Sequence, residues 1–164
     1  MAPSPASKQI AHGPVAIHLT TTRRARPKDA DLVFGRVFTD HMAMVDYETE
    51  RGWYDPRVVP YGPMALDPAA AVLHYAQEMF DGLKAFRGAD DKVRIFRLDR
   101  HCKRLHDGAP RLCIPAVPEE LSRAAIMALV DADRDWVPSS AGTSLYIRPT
   151  VIATEPFLGV RPAN

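Results

Sequence analysis

Long apolar runs are absent from this 164-residue sequence, so no segment reads as a membrane span. Residues 1–17 also lack the hydrophobic block of a secretory signal. Cysteine is scarce: Cys102 and Cys113 lie inside apolar patterns, with neither metal-ligand nor redox-motif spacing. They read as reduced, buried small hydrophobes in a cytoplasmic protein, and no metal site is expected. A dominant charge is missing too. With 21 Lys+Arg against 20 Asp+Glu the formal net charge is +1, and no bulk field recruits nucleic acid or an anionic membrane. Lysine is rare among the cations: only Lys8, Lys28, Lys84, Lys92 and Lys103 occur. There are no internal repeats. What is present is the mixture of a globular domain, 46% hydrophobic and 25% charged, long enough for one core plus loose ends. The 15 prolines favour turns and extended segments over a helical bundle.

Residues 1–33 hold Pro3, Pro5, Pro14, Pro27 and the cluster Arg23-Arg24-Ala25-Arg26, and read as a loose arm in which residues 15–19 form at most a short strand. The ordered domain is expected over residues 34–154. Residues 41–47 and 53–61 pattern as two strands joined by a polar turn ending in Gly52, an antiparallel hairpin. Asp67 and Pro68 open a helix through Tyr75. Residues 77–87 read as a strand broken by Gly82, with residues 92–97 as its hairpin partner. The stripe Leu121, Ala125, Leu129, Ala132 and Trp136 marks the clearest helix. In residues 144–154, strand alternation puts Tyr146 and Arg148 on one face, with a break past Arg148 at Pro149. Residues 155–164 read as the start of a linker. Strands alternating with helices through short hairpins predict an α+β fold with a mainly antiparallel sheet.

The most informative stretch is Phe96-Arg97-Leu98-Asp99-Arg100-His101-Cys102-Lys103-Arg104-Leu105. Leu98, Cys102, Leu105, Ala109 and Leu112 recur at helical spacing and face a core, Asp99 is a candidate N-cap, and Gly108 with Pro110 ends the helix. Arg97, Arg100, His101 and Arg104 lie opposite, with Lys103 at their edge. Such a face is ordinarily solvated. The sharper alternative is an arginine whose planar fork grips a phosphate. Composition alone favours the solvated face, and only neighbouring motifs can decide otherwise.

Three segments together carry a resemblance: His74-Tyr75-Ala76-Gln77-Glu78-Met79-Phe80-Asp81-Gly82-Leu83-Lys84-Ala85-Phe86, the arginine-rich stretch, and Leu145-Tyr146-Ile147-Arg148-Pro149 followed by Glu155-Pro156-Phe157-Leu158-Gly159-Val160. In order and spacing they resemble the amino-terminal domain of the branched-chain amino acid aminotransferases, class IV enzymes that use pyridoxal 5'-phosphate. The resemblance implies the small domain of a fold-type IV enzyme, a twisted, mainly antiparallel sheet flanked by helices. It implies that Arg104 binds the cofactor phosphate and that Tyr146 and Arg148 receive substrate carboxylates, Arg148 the distal one of glutamate. It further implies that Phe80 lines an apolar side-chain pocket, completed across a homodimer by Tyr75 and Val160.

The implied reaction is amino transfer from leucine, isoleucine or valine to 2-oxoglutarate, with glutamate closing the cycle. The family's Schiff-base lysine belongs to a carboxy-terminal domain, and none of the five lysines here sits in a matching context. The expectation is therefore a piece of a larger enzyme, inactive alone. Two alternatives remain at this point: a non-catalytic, self-associating module, and another class IV member such as a D-amino acid aminotransferase or an aminodeoxychorismate lyase.

Overall fold

The computed structural model of the protein describes residues 14–163. The first thirteen residues of the expected arm, and Asn164, lie outside the described residues. From residue 14 onward the arm is tethered. Strand β1 (Ala16–Ile17) pairs in parallel with β3 (Gly52–Pro60), which pairs antiparallel with β2 (His41–Glu48). The β2–β3 hairpin is the one expected from residues 41–61.

The strand broken by Gly82 is two strands in two sheets. β4 (Glu78–Phe80) pairs antiparallel with β8 (Thr150–Ile152). β5 (Leu83–Arg87) sits between β6 (Val93–Ile95) and β7 (Leu145–Ile147), antiparallel to both. The chain thus turns a corner twice side by side, at Asp81-Gly82 between β4 and β5 and at Arg148-Pro149 between β7 and β8. The Asp81 N–H donates to the Pro149 carbonyl (3.0 Å) and locks the two corners together. Pro149 lacks an N–H and breaks the ladder there.

Helix α1 is short, Ala71–Tyr75. Asp67 instead caps the turn before it, accepting from the Ala69 N–H at 2.7 Å. Helix α2 runs Leu98–Gly108 and gives way to a 3-10 turn, Ala109–Leu112, at Pro110. Proline lacks the N–H that would continue the helix. Two expectations for this region fail. Asp99 lies in the first turn rather than at the N-cap, which is Arg97 with a left-handed backbone (φ 49°). Leu112 and Cys113 are exposed, because the chain leaves helical spacing at Pro110 and stops presenting that stripe to the core. Helix α3 spans Glu119–Ala132.

The core lies between the β6-β5-β7 sheet and the two longer helices. Leu83, Ala85 and Ile147 from the sheet meet Leu98 and Cys102 from α2, Ile126 and Val130 from α3, and Val137. A buried polar network joins this body to the tethered segment. His41 Nδ1 donates to Asp133 at 2.6 Å, which leaves Nε2 to accept the Thr20 N–H at 2.9 Å. Asp40 accepts from the Arg24 N–H (2.8 Å) and from Trp136 Nε1 (2.9 Å). Burial opposes a charge on Asp40, yet these two donors hold its carboxyl below the ordinary 3.8.

Trp136→Phe should cost about 1–3 kcal/mol, because it strands a carboxylate oxygen on a residue only 4% exposed. The Asp40 pKa is depressed by folding, so its contribution is present above 3.8 and disappears as the pH falls through the folded value. Urea unfolding should therefore show a lower midpoint for the variant at neutral pH and a narrowing gap in acid. A gap independent of pH would mean that lost ring packing alone is being measured.

Candidate active site

Each cation of the α2 face has a carboxylate partner, and the partners differ. Arg97 and Arg100 pair with Asp99 and Lys103 with Asp107, acids that are themselves more than half exposed. Such pairs stabilise little. Arg104 pairs with Asp81, whose side chain is 5% exposed. The guanidinium engages it side-on: Nε donates to Oδ2 at 3.0 Å and Nη2 donates to Oδ1. The Gly82 N–H donates to Oδ1 at 2.6 Å, and His101 Nδ1 lies 3.4 Å from Oδ2. Burial disfavours the Asp81 charge, but these donors, Arg104 first, keep its carboxyl below the ordinary range, and Asp81 in turn raises Arg104. A shallow groove of about 310 Å³ runs past Arg104, lined also by Arg100, Lys103, Asp107, Gly108 and Arg111.

The double corner brings three more of the sequence-predicted residues together next to this pair. Phe80 and Asp81 are chain neighbours at the end of β4. Arg148 stacks its guanidinium over the Phe80 ring at 4.5 Å and lies 5.3 Å from the Tyr146 ring centroid. Arg148 Nη2 donates to the Tyr146 hydroxyl at 3.3 Å. Tyr146 and Arg148 share a face, as strand alternation demands. Phe80 is 60% exposed, with the Arg148 guanidinium over its ring.

Gly82 makes room for Tyr146. A Cβ there would overlap the Tyr146 hydroxyl and lie 2.9 Å from its Cζ. Gly82→Ala should thus move the ring rather than the backbone, with stability changing by less than about 1 kcal/mol. The Tyr146 ring proton shifts, read by NMR, should change while the thermal midpoint barely moves. Unchanged shifts would show that the ring does not lie across Gly82.

Tyr75 and Val160 are not brought to this cluster. Tyr75 ends α1 with its ring 6.2 Å from that of His74, and Val160 is fully exposed in the 155–163 segment. Conversely, two residues with no role expected from the sequence are here. Asp81 orders Arg104, and Phe34 meets the Tyr146 ring edge-on at 5.2 Å. An acid beside the glycine that breaks an apolar strand was the available signal for Asp81. Phe34 had none, because its contact joins residues 112 positions apart.

Small, mainly antiparallel sheets packed on two helices make a small α+β domain, and solved structures similar to it are fold-type IV pyridoxal-phosphate enzymes. Within that class the chain is homologous to the branched-chain-amino-acid aminotransferases. Branched-chain-amino-acid aminotransferase 2 of Bacillus subtilis is 51% identical over 150 residues, which are 92% of this chain and 41% of that protein. The Mycolicibacterium smegmatis branched-chain-amino-acid aminotransferase is 52% identical over 132 residues, 80% of this chain and 36% of its relative. Among solved structures, a T.th. branched-chain amino acid aminotransferase with pyridoxamine 5'-phosphate superposes with a TM-score of 0.50 at 34% identity, covering 63% of this chain and 32% of that one. The chain thus spans about two-fifths of the length of the curated relatives it matches. No protein-family model matches it. Among the described residues no helix is long and apolar enough to cross a membrane, and no group of three or more His, Cys, Asp or Glu could hold a metal.

Proposed function

We propose that this chain is the amino-terminal part of a cytoplasmic branched-chain amino acid aminotransferase of amino-acid biosynthesis. It would transfer the amino group of leucine, isoleucine or valine to 2-oxoglutarate in a homodimer completed by a carboxy-terminal domain. The observation that carries this reading is the double corner, where Arg148 lies over Phe80 and beside Tyr146 while Asp81, the residue after Phe80, holds Arg104. The cofactor's phosphate fits what is present. Arg104 is a permanently charged fork with its side chain 66% exposed, at the wall of a groove shared with three other cations. When bound, pyridoxal phosphate supplies the electron sink for proton movement at the substrate Cα.

The chain's own residues then bind and orient. Arg104 anchors the phosphate end. Tyr146 and Arg148 offer a hydroxyl and a guanidinium to carboxylates. Phe80 offers an apolar wall, and Arg148 stacked on it makes the same slot cationic on one side. A branched aliphatic side chain can lie against the ring, while the distal carboxylate of glutamate can reach the guanidinium. One slot thereby serves both halves of the cycle. Tyr75 and Val160, both exposed, are assigned to the partner subunit's pocket. The amine that would hold the cofactor's aldehyde is assigned to the carboxy-terminal domain, so the 164-residue chain alone should not turn over.

The test is to join the chain to the carboxy-terminal part of a homologous aminotransferase and assay it. L-Leucine with 2-oxoglutarate should be the faster substrate pair. A preference for D-alanine would assign the chain to a different class IV activity. A second reading, a self-associating module without turnover, draws on the exposed Phe34, Phe96, Leu158 and Val160. A joined protein that binds no cofactor, beside an isolated chain that sediments as an oligomer, would favour it.

A further inference from the structure

We propose that Asp81 is a positioning residue, which holds the Arg104 guanidinium side-on so that its remaining edge faces a phosphate group; this rests on Arg104 as the phosphate ligand. An arginine side chain has four torsions and, left alone on a helix face, spreads its charge over many positions. Arg100 and Lys103 are in that situation, tied only to exposed acids. Arg104 is not. Its Nε and Nη2 are taken by a carboxylate that is itself fixed from below, with His101 Nδ1 a further 3.2 Å neighbour of Nη2. The Asp81 N–H is held by the Pro149 carbonyl, and its Oδ1 accepts the Gly82 N–H. Among the described residues Nη1 makes no hydrogen bond, so the outward edge of the fork is what a ligand meets. A backbone-anchored relay of Gly82, Asp81 and Arg104 thus turns a flexible cation into a preset one.

Two effects of Asp81 on an anion have opposite signs, which makes the idea decidable. As a bare negative charge it repels a phosphate, so removing the charge should tighten binding. As an orienter it should do the reverse. The Arg104 edge is open to solvent, where repulsion is screened by salt, so orientation is expected to win.

Inorganic phosphate and pyridoxamine 5'-phosphate would be titrated into the full 164-residue chain with labelled arginine, following the Arg104 Nε–Hε signal by NMR. Asp81→Asn keeps an acceptor for the Gly82 N–H and should weaken phosphate binding about tenfold, with loss of the sharp Hε signal. Asp81→Glu retains the charge and should recover binding to within about threefold of wild type. Adding Asp81→Asn to Arg104→Ala should cause no further loss, whereas a merely structural Asp81 would lower binding again. If circular dichroism shows Asp81→Asn unfolded, the Asp81→Glu variant decides alone: binding within about threefold with a sharp Hε signal supports the role, and a larger loss overturns it. Equal or tighter phosphate binding by folded Asp81→Asn, with Arg104→Ala still weak, overturns the positioning role and leaves Arg104 standing. No difference between wild type and Arg104→Ala, including no binding by either, overturns the Arg104 reading and the proposal with it.

Discussion

Replacing Arg104 with alanine in the completed enzyme is expected to weaken retention of pyridoxal phosphate by about 10- to 150-fold, while Arg100→Ala changes it by less than about threefold. The range is the roughly 1.5–3 kcal/mol of a charge-assisted hydrogen bond, at about 1.4 kcal/mol per tenfold. The contrast between two arginines one helical turn apart comes from their partners. Arg100, 68% exposed, leans on Asp99, itself 55% exposed, so no buried group fixes its charge. Arg104 is clamped to an acid only 5% exposed, and can meet a dianion without first being ordered. Equilibrium dialysis of the two variants against cofactor, each checked for folding by circular dichroism, measures the ratio. Equal retention would return Arg104 to the solvated face of α2.

Arg148 should show a selective loss rather than a uniform one. Its guanidinium packs on Phe80 and donates to the Tyr146 hydroxyl, at the corner proposed to receive the substrate. Removing it deletes a charge-assisted hydrogen bond of about 1.5–3 kcal/mol from any substrate carrying a distal carboxylate, and nothing comparable from an aliphatic one. Arg148→Met keeps much of the bulk over Phe80. It is therefore expected to lower kcat/KM for glutamate by about 10- to 150-fold and for leucine by no more than about fivefold. Steady-state kinetics on both substrates check this, and equal losses would mean that Arg148 shapes the corner without reading the distal carboxylate.

The legible parts of this fold were those governed by local chemistry. Glycine and proline announced the breaks at Gly82, Pro110 and Pro149, and alternation placed Tyr146 beside Arg148 before any contact was known. Periodicity located α2 and α3, and the buried Leu98, Cys102, Leu105, Leu121 and Ala125 are among the residues it selected. The same local rules failed where long-range partners decide. Asp67-Pro68 looked like a helix start, but a turn precedes the five-residue α1. The arm looked loose because nothing in residues 14–33 reveals that Thr20 and Arg24 meet His41 and Asp40. Asp81, though part of the motif, drew no role because its partner Arg104 lies 23 positions away. For the site, the sequence alone could not separate five neighbouring cations; in the structure Arg104 and His101 face the buried Asp81 carboxylate, while Arg97, Arg100 and Lys103 face exposed acids.

The central claim is that the Arg104 fork and the Phe80–Arg148 corner face one bound cofactor and its substrate. A crystal structure of the completed enzyme with pyridoxamine 5'-phosphate and a branched-chain keto acid tests this most directly. The account predicts a phosphate oxygen at about 2.7–2.9 Å from the Arg104 guanidinium, with the ligand's aliphatic branch against the Phe80 ring. A phosphate bound elsewhere, with Arg104 still turned only to Asp81, would contradict it.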